Sequence, residues 1–171
     1  ETAQRFFKEK IKVHGVKTAI VSKIAKDFFK KIENLPKEEI FDLCKELLES
    51  GYMEESFVAY KWAEKIKDYE SKDFRTLARW LRDYVNNWAS CDTLCNHGLG
   101  SLIEKFPEHI SHLKLWKLPK CKNRWLRRGA AVTLIIPARR GKFLKDVFEI
   151  AEGLLTDEDD LVQKGYGWLL K

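Results

Sequence analysis

The sequence predicts an all-α fold, an α-solenoid built from about five antiparallel helix pairs. Three observations predict it. Apolar residues recur at helical spacing along almost the whole chain, and no segment alternates as a strand does. Of the four prolines (Pro36, Pro107, Pro119 and Pro137), three fall where one helical pattern stops and another begins. Taken in pairs, the helices start near 2, 36, 72, 107 and 139, at offsets of 34, 36, 35 and 32 residues. Pairs at such a period bury their apolar faces against neighbouring pairs, so the stack curves and its second helices line a concave surface. An irregular helical bundle is the alternative.

In order, helices are expected near 2–10, 17–34, 36–50, 53–67, 72–86, 88–105, 107–117, 122–136, 139–153 and 157–171. The helix near 88–105 carries an apolar stripe of Cys91, Cys95, Leu99, Leu102 and Phe106. Trp88 falls within the stripe and Asp92 at its edge, one turn from Trp88. The segment Asn123–Ile136 is apolar almost all round and should be central, yet it contains Arg128 one turn from Val132 and Trp125. The last helix opens on Thr156 as its cap, with Asp159 three residues on and Asp157, Glu158 and Asp160 at the positive end of its dipole. Within it stand Gly165-Tyr166-Gly167-Trp168; two glycines there point to close approach of another backbone or of a ligand.

Length and composition fit one folded, soluble domain over 1–171: 44% hydrophobic and 34% charged residues. The longest apolar run, Ala130–Pro137, is too short to span a bilayer, so no membrane partner is expected. The N-terminus has no signal-peptide core, although the missing initiator Met points to processing or trimming. Cys44, Cys91, Cys95 and Cys121 form no disulfide framework, and a reducing, cytoplasmic location is the simpler reading. The net charge of +6 is uneven. From His109 to Lys145 there are eleven Lys and Arg residues and no acid, where an even scatter of the 26 acids would place five or six. Such a block attracts polyanions, nucleic acid first and an acidic protein second; a solvated basic face is the plainer account.

Among residues that could carry chemistry, Asp92 beside Trp88 could stabilise a cation, although spacing alone is explained as readily by a first-turn acid beside a core indole. Arg128 in an apolar neighbourhood needs an anion, either a carboxylate or a phosphate. Cys91, Cys95 and His97 superficially resemble metal ligands, but His97 points away from the cysteine stripe, so no metal site is expected. His109 and His112 read as surface histidines. No P-loop, dinucleotide fingerprint or nucleophile elbow is present.

The order Asn87-Trp88-Ala89-Ser90-Cys91-Asp92, then Trp125-Leu126-Arg127-Arg128-Gly129-Ala130-Ala131, then Gln163-Lys164-Gly165-Tyr166-Gly167-Trp168, resembles the AlkD-type DNA alkylation repair glycosylases. His14-Gly15-Val16-Lys17 and Lys23-Ile24-Ala25-Lys26 look like that family's opening helices, so the likeness runs over nearly the whole chain. The resemblance implies HEAT-like helix pairs with a concave basic groove. It implies Asp92 as the catalytic carboxylate, Trp88 and Trp168 as aromatic walls around the damaged nucleotide, and Arg128 as the cation beside them. It implies backbone contacts from Lys17, Lys23, Lys120, Lys122, Arg124, Arg127, Arg139, Arg140 and Lys142. The family often has Pro and Arg where Ala19 and Ser22 stand, and the sequence stops just after Trp168, so later groove helices are expected to be missing. The implied activity is a monofunctional, cofactor-free glycosylase, excising cationic N7- and N3-alkylpurines such as 7-methylguanine and 3-methyladenine. Its partner is duplex DNA with alkylated bases, bound as a monomer with no obligate protein partner, nucleoid-associated if the source is prokaryotic. A relative that binds DNA without excision and a HEAT-like protein scaffold are the competing readings.

Overall fold

Gln4 decides how the chain begins. Its side chain donates to the carbonyls of Phe7 and Glu9 and accepts from the Ile11 amide, tying 4–11 into a turn. A computed structural model describes residues 4–118 and 120–171, so Thr2 and Pro119 lie outside the described residues. The helix expected near 2–10 is reduced, among the described residues, to a single 3-10 turn, Gln4–Phe6. A side chain that satisfies backbone groups locally removes the need for a helix to do so. Everything else is helical apart from connections; the one β pairing among the described residues is an isolated parallel bridge between Lys12 and Tyr52.

The chain divides into two compact units, Glu1–Glu70 and Ser71–Lys171. In the first, α1 (Thr18–Ile32), α2 (Lys37–Glu49) and α3 (Met53–Lys65) pack α2 on α3 and α1 on α3. Val21, Ala25 and Phe29 of α1 are buried at one-turn spacing, and Trp62 of α3 donates its indole N–H to the Ala25 carbonyl at 2.9 Å. Ahead of α1, the buried Glu54 carboxylate accepts the amides of His14, Gly15 and Val16 at 3.0, 2.8 and 3.1 Å. Gly15, at φ 81°, gives the turn the left-handed backbone this grip requires.

The second unit contains α4 (Phe74–Asp83), α5 (Trp88–Thr93), a π-helical segment (Leu94–Leu99), α6 (Gly100–Lys105), α7 (Ile110–Trp116), α8 (Arg124–Val132), α9 (Ile135–Arg139), α10 (Leu144–Leu154) and α11 (Asp160–Leu169). As expected, α8 is central, packing against α4, α5, α7, α10 and α11, with Trp125 and 128–132 buried. Neighbouring helices stack on one another, as a solenoid requires.

Three boundaries differ from expectation, each for a local reason. The helix expected to run through 136 stops at Thr133, because Pro137 has no amide to bond the Thr133 carbonyl; Pro137 instead occupies the first turn of α9, where free amides are normal. The helix expected from 139 starts at Leu144. Arg140 and Gly141 close α9 with the paired carbonyl contacts of a glycine stop: Gly141 N–H to Ala138 O at 2.8 Å and Lys142 N–H to Pro137 O at 3.0 Å, with Gly141 at φ 74°. Finally, α11 is capped by Asp159, whose side chain accepts from the Leu161 amide, and not by Thr156; the acids 157–159 are used as described below. Among the described residues no helix is long and apolar enough to cross a membrane. All four cysteines are free thiols, Cys44, Cys91 and Cys95 buried.

Candidate active site

Asn87 sets the position of the first site helix. Its backbone is extended (φ −150°, ψ 159°), and its side-chain oxygen accepts from the Ser90 amide at 2.9 Å while its Nδ2 donates to Ser90 Oγ at 3.0 Å. With the side chain buried, this cap fixes where α5 starts and so the pitch of Trp88 and Asp92, at its first and fifth positions. The cap was not among the residues singled out by sequence, although an Asn three residues ahead of a Ser, opening an apolar run, is its signal.

After Asp92 the helix widens. The Gly100 amide reaches back five residues to the Cys95 carbonyl, and 94–99 are buried almost all round, His97 alone being exposed. Stripe residues Cys91, Cys95, Leu99 and Leu102 are all buried, whereas Phe106 is only partly so, because one wide turn shifts the helical phase beyond it. Asn96 donates Nδ2 to the Asp92 carbonyl at 3.1 Å, securing the backbone of the residue at issue. Among the described residues no group of three His, Cys, Asp or Glu could hold a metal ion.

Arg128 reaches Asp92 from α8. Its Nε donates to Oδ1 at 2.7 Å and its Nη2 to Oδ2 at 2.8 Å, a two-pronged pair, while Nη1 donates to the Leu161 carbonyl of α11. Of the two anions the sequence left open for Arg128, the structure supplies the carboxylate. Burial opposes the charge on this guanidinium, and the Asp92 hydrogen bonds outweigh it, so its pKa lies above the ordinary value. The arginine side chain is 6% exposed and the Asp92 side chain 15%, so the carboxylate is the more open member of the pair. No other donor among the described residues bonds either Asp92 oxygen, and each oxygen keeps a second lone pair.

Gly165 lets α11 come this close. A Cβ there would stand 3.2 Å from Arg128 Cγ, whereas one at Gly167 would meet nothing within 4 Å. Leu161, Gly165 and Trp168 are spaced i, i+4 and i+7, so Trp168 lies on the side of α11 that passes Arg128, and it is 36% exposed. Trp88 is partly exposed, one turn before Asp92 on α5. The structure therefore joins Asp92 to Arg128 directly and sets one tryptophan on each helix flanking that pair.

The basic block is less free than its sequence implied. Lys114 pairs with Asp146 and Glu149, Lys117 with Glu149, Arg124 with Asp159, Arg127 with Asp157, and Arg140 and Lys142 with Glu104. The window lacks acids only in sequence; folding brings acids from both sides of it. Arg127 is the most committed, donating Nε and Nη2 to Asp157 and Nη1 to the Cys121 carbonyl. That leaves Lys120, Lys122, Arg139 and Lys145 exposed and outside any ion pair among the described residues, while Arg124, Arg140 and Lys142 are paired but 41, 60 and 51% exposed. In the other unit Lys17 and Lys23 are exposed on α1 and just ahead of it.

A family model described as DNA alkylation repair enzyme matches residues 1–171, the whole sequence. The chain belongs to that family. No curated protein matches it as a relative. Membership in the DNA alkylation repair enzyme family makes DNA the partner and repair of alkylated DNA the role.

Proposed function

We propose that this member of the family is a monofunctional DNA glycosylase. It hydrolyses the N-glycosidic bond of N7- and N3-alkylated purines, such as 7-methylguanine and 3-methyladenine, in duplex DNA and leaves an abasic site. The observation that carries the reading is the state of Asp92: a partly exposed carboxylate oriented by a two-pronged arginine, with a lone pair left on each oxygen.

The chemistry asks for little more. Alkylation at N7 or N3 makes the purine cationic and a good leaving group. As the bond from the sugar breaks, the bonding pair leaves with the base and cancels that charge, while positive charge develops on the sugar ring. Asp92 faces that charge with a fixed negative one and orients a water whose oxygen forms the new bond to the sugar carbon, its proton passing to solvent. Arg128 acts through Asp92 as a positioning residue, since each of its three nitrogens already donates a hydrogen bond and its side chain is 6% exposed. Trp88 and Trp168 offer aromatic faces to the cationic nucleotide, worth about 0.5–2 kcal/mol each. Lys17, Lys23, Lys120, Lys122 and Arg139 supply contacts to phosphate, and Arg124, Arg140 and Lys142 are exposed enough to exchange a carboxylate for one. Arg127 is left out of that set because each of its three nitrogens already donates to Asp157 or the Cys121 carbonyl. HEAT-like pairing of the helices and action as a monomer belong to the same reading.

One observation favours the second reading, binding of DNA without excision: both Asp92 oxygens already carry an arginine hydrogen bond, which weakens the field the carboxylate can present. Single-turnover release of 7-methylguanine from a duplex decides between them. Release by the wild type and its loss in Asp92→Asn, with duplex binding retained, is the expected result; no release by the wild type at saturating protein leaves the binding reading in place.

A further inference from the structure

Outside the Asp92 site, α4 carries Arg75, Arg79 and Arg82 at i, i+4 and i+7, so the three share one face along about 10 Å of helix. They line a cleft of about 290 Å3 whose remaining walls are Phe74, Ala78, His112, Trp116 and Leu126. Among the described residues no carboxylate lines it. Arg75 and Arg79 are exposed and form no ion pair among the described residues; Arg82 is paired with its neighbour Asp83 at 2.7 Å, whose charge Arg79 also feels without a direct contact. In this unit, whose other arginines and lysines in the long basic block are largely met by acids, an acid-free cleft with two unmatched guanidinium groups stands out.

The opposite wall is aromatic. Phe74 is fully buried and stacks on His109 at 4.3 Å, on Trp116 at 5.9 Å and against His112 at 5.0 Å. The two histidines are therefore built into an aromatic cluster and are not the surface pair expected from their spacing. Burial, then the nearby His109 and Arg75, push the His112 imidazole below its ordinary pKa, so near neutral pH it offers an uncharged ring.

Arginines on one side and flat rings on the other match a phosphate joined to a base. Arginine forks take phosphate oxygens two at a time, and aromatic faces stack bases of any sequence. We infer that the α4–α7 cleft binds the nucleotide unit of single-stranded DNA, phosphate on Arg75 and Arg79 and base against Trp116. Leu126 of α8 faces this cleft, and Arg128, two residues on, faces Asp92 about 200° around the helix. The cleft thus opens on the other side of α8 from the ion pair, and its ligand is a second contact and not the lesion under repair.

The test is fluorescence anisotropy with a labelled eight-nucleotide single strand, titrated against wild-type protein and Arg75→Gln/Arg79→Gln at several salt concentrations. Single-turnover excision from a 7-methylguanine duplex at saturating protein runs in parallel. The double variant should bind the single strand about tenfold less tightly, with a log–log salt slope shallower by about two, while excision stays within about twofold. Both substitutions are on exposed side chains, and an unchanged urea midpoint verifies the fold. Trp116→Leu should weaken the single strand severalfold without changing the salt slope, separating stacking from charge. Competition by AMP assigns the cleft to free nucleotides, and its failure assigns it to strands; either supports the nucleotide chemistry. Unchanged single-strand binding in the double variant overturns the inference, as does loss of a polyglutamate probe alone. Excision falling in step with binding would place the cleft in the duplex grip and overturn it as a separate site. If wild-type protein shows no excision at all, the glycosylase reading fails and the single-strand titration still decides the cleft.

Discussion

Arg127 and Arg128 are consecutive on α8, each grips an aspartate with two prongs, and each also donates to a carbonyl, yet they serve different ends. Asp157 accepts the Asp159 amide at 3.0 Å in addition to Arg127, so three of the four acceptor sites on its oxygens are used, one of them by the loop that leads into α11. The Asp92 carboxylate accepts, among the described residues, from Arg128 alone and stands on a helix with a tryptophan one turn away. A two-pronged arginine pair is therefore no mark of a site. What separates the two is how much acceptor capacity is left over: one site on each Asp92 oxygen, against a single site on Asp157 Oδ2.

The comparison breaks most sharply on activity. Asp92→Asn should lower single-turnover excision of 7-methylguanine by about 10²–10³-fold, the scale of removing one electrostatic stabiliser, while Asp157→Asn leaves it within a few fold. Equal losses in the two variants would mean that both pairs act only by holding the fold. On stability the order reverses in meaning: Asp157→Asn should cost about 2 kcal/mol, read as a lower urea midpoint at unchanged slope, because it loosens a pair whose side chains are 15 and 11% exposed.

Acid sharpens the same contrast. Burial raises the Asp157 pKa, and Arg127 and the Asp159 amide together more than reverse it, so the carboxyl titrates below its ordinary 3.8. A depressed carboxyl stabilises the fold at any pH above its unfolded value and loses that contribution as pH falls through the folded one. The gap in urea midpoint between wild type and Asp157→Asn should therefore be full at pH 7 and narrow below about pH 4. A gap that stays constant down to pH 2.5 would show that the aspartate acts through shape and not charge.

The smallest effect lies in α11. Gly167→Ala meets open space and should stabilise by about 0.5–1 kcal/mol, as alanine does in a helix. Gly165→Ala places a methyl 3.2 Å from Arg128 Cγ; it should forgo that gain and slow excision severalfold by tilting the arginine that holds Asp92. Matching melting temperatures and matching rates for the two variants would remove Gly165 from the site.

The helical class, the central place of α8 and the need of Arg128 for an anion are legible in the sequence because periodicity and burial are local signals. What could not be read there is non-local. Arg128 demands an anion, but nothing in its neighbourhood names a carboxylate 36 residues away. The run from His109 to Lys145 looks uncompensated because Glu104, Glu149, Asp157 and Asp159 lie outside it and return only in space. Local signals were also overridden by competing local ones: the Gln4 side chain against the first helix, Pro137 against continuation of α8, and Asp159 against Thr156 as a cap.

The wide turn at 94–99 has a consequence for how this chain can change in length. A π-helical turn holds one more residue than an α-helical one, so it behaves as an insertion absorbed within a helix. Removing one residue there would let 88–105 close into a regular helix while everything beyond keeps its orientation relative to Trp88 and Asp92, because the residue lost is the extra one the wide turn holds. Leu102 and Ile103 would stay in the interior, and the Gly100 backbone, whose Cβ position lies 2.9 Å from the Thr133 carbonyl, would keep its neighbour. One residue removed from the regular turns of α5 or α6 would instead turn those side chains by about 100°. The wide turn is therefore the place within 88–105 where a single-residue deletion should leave the helix packing behind the candidate carboxylate intact.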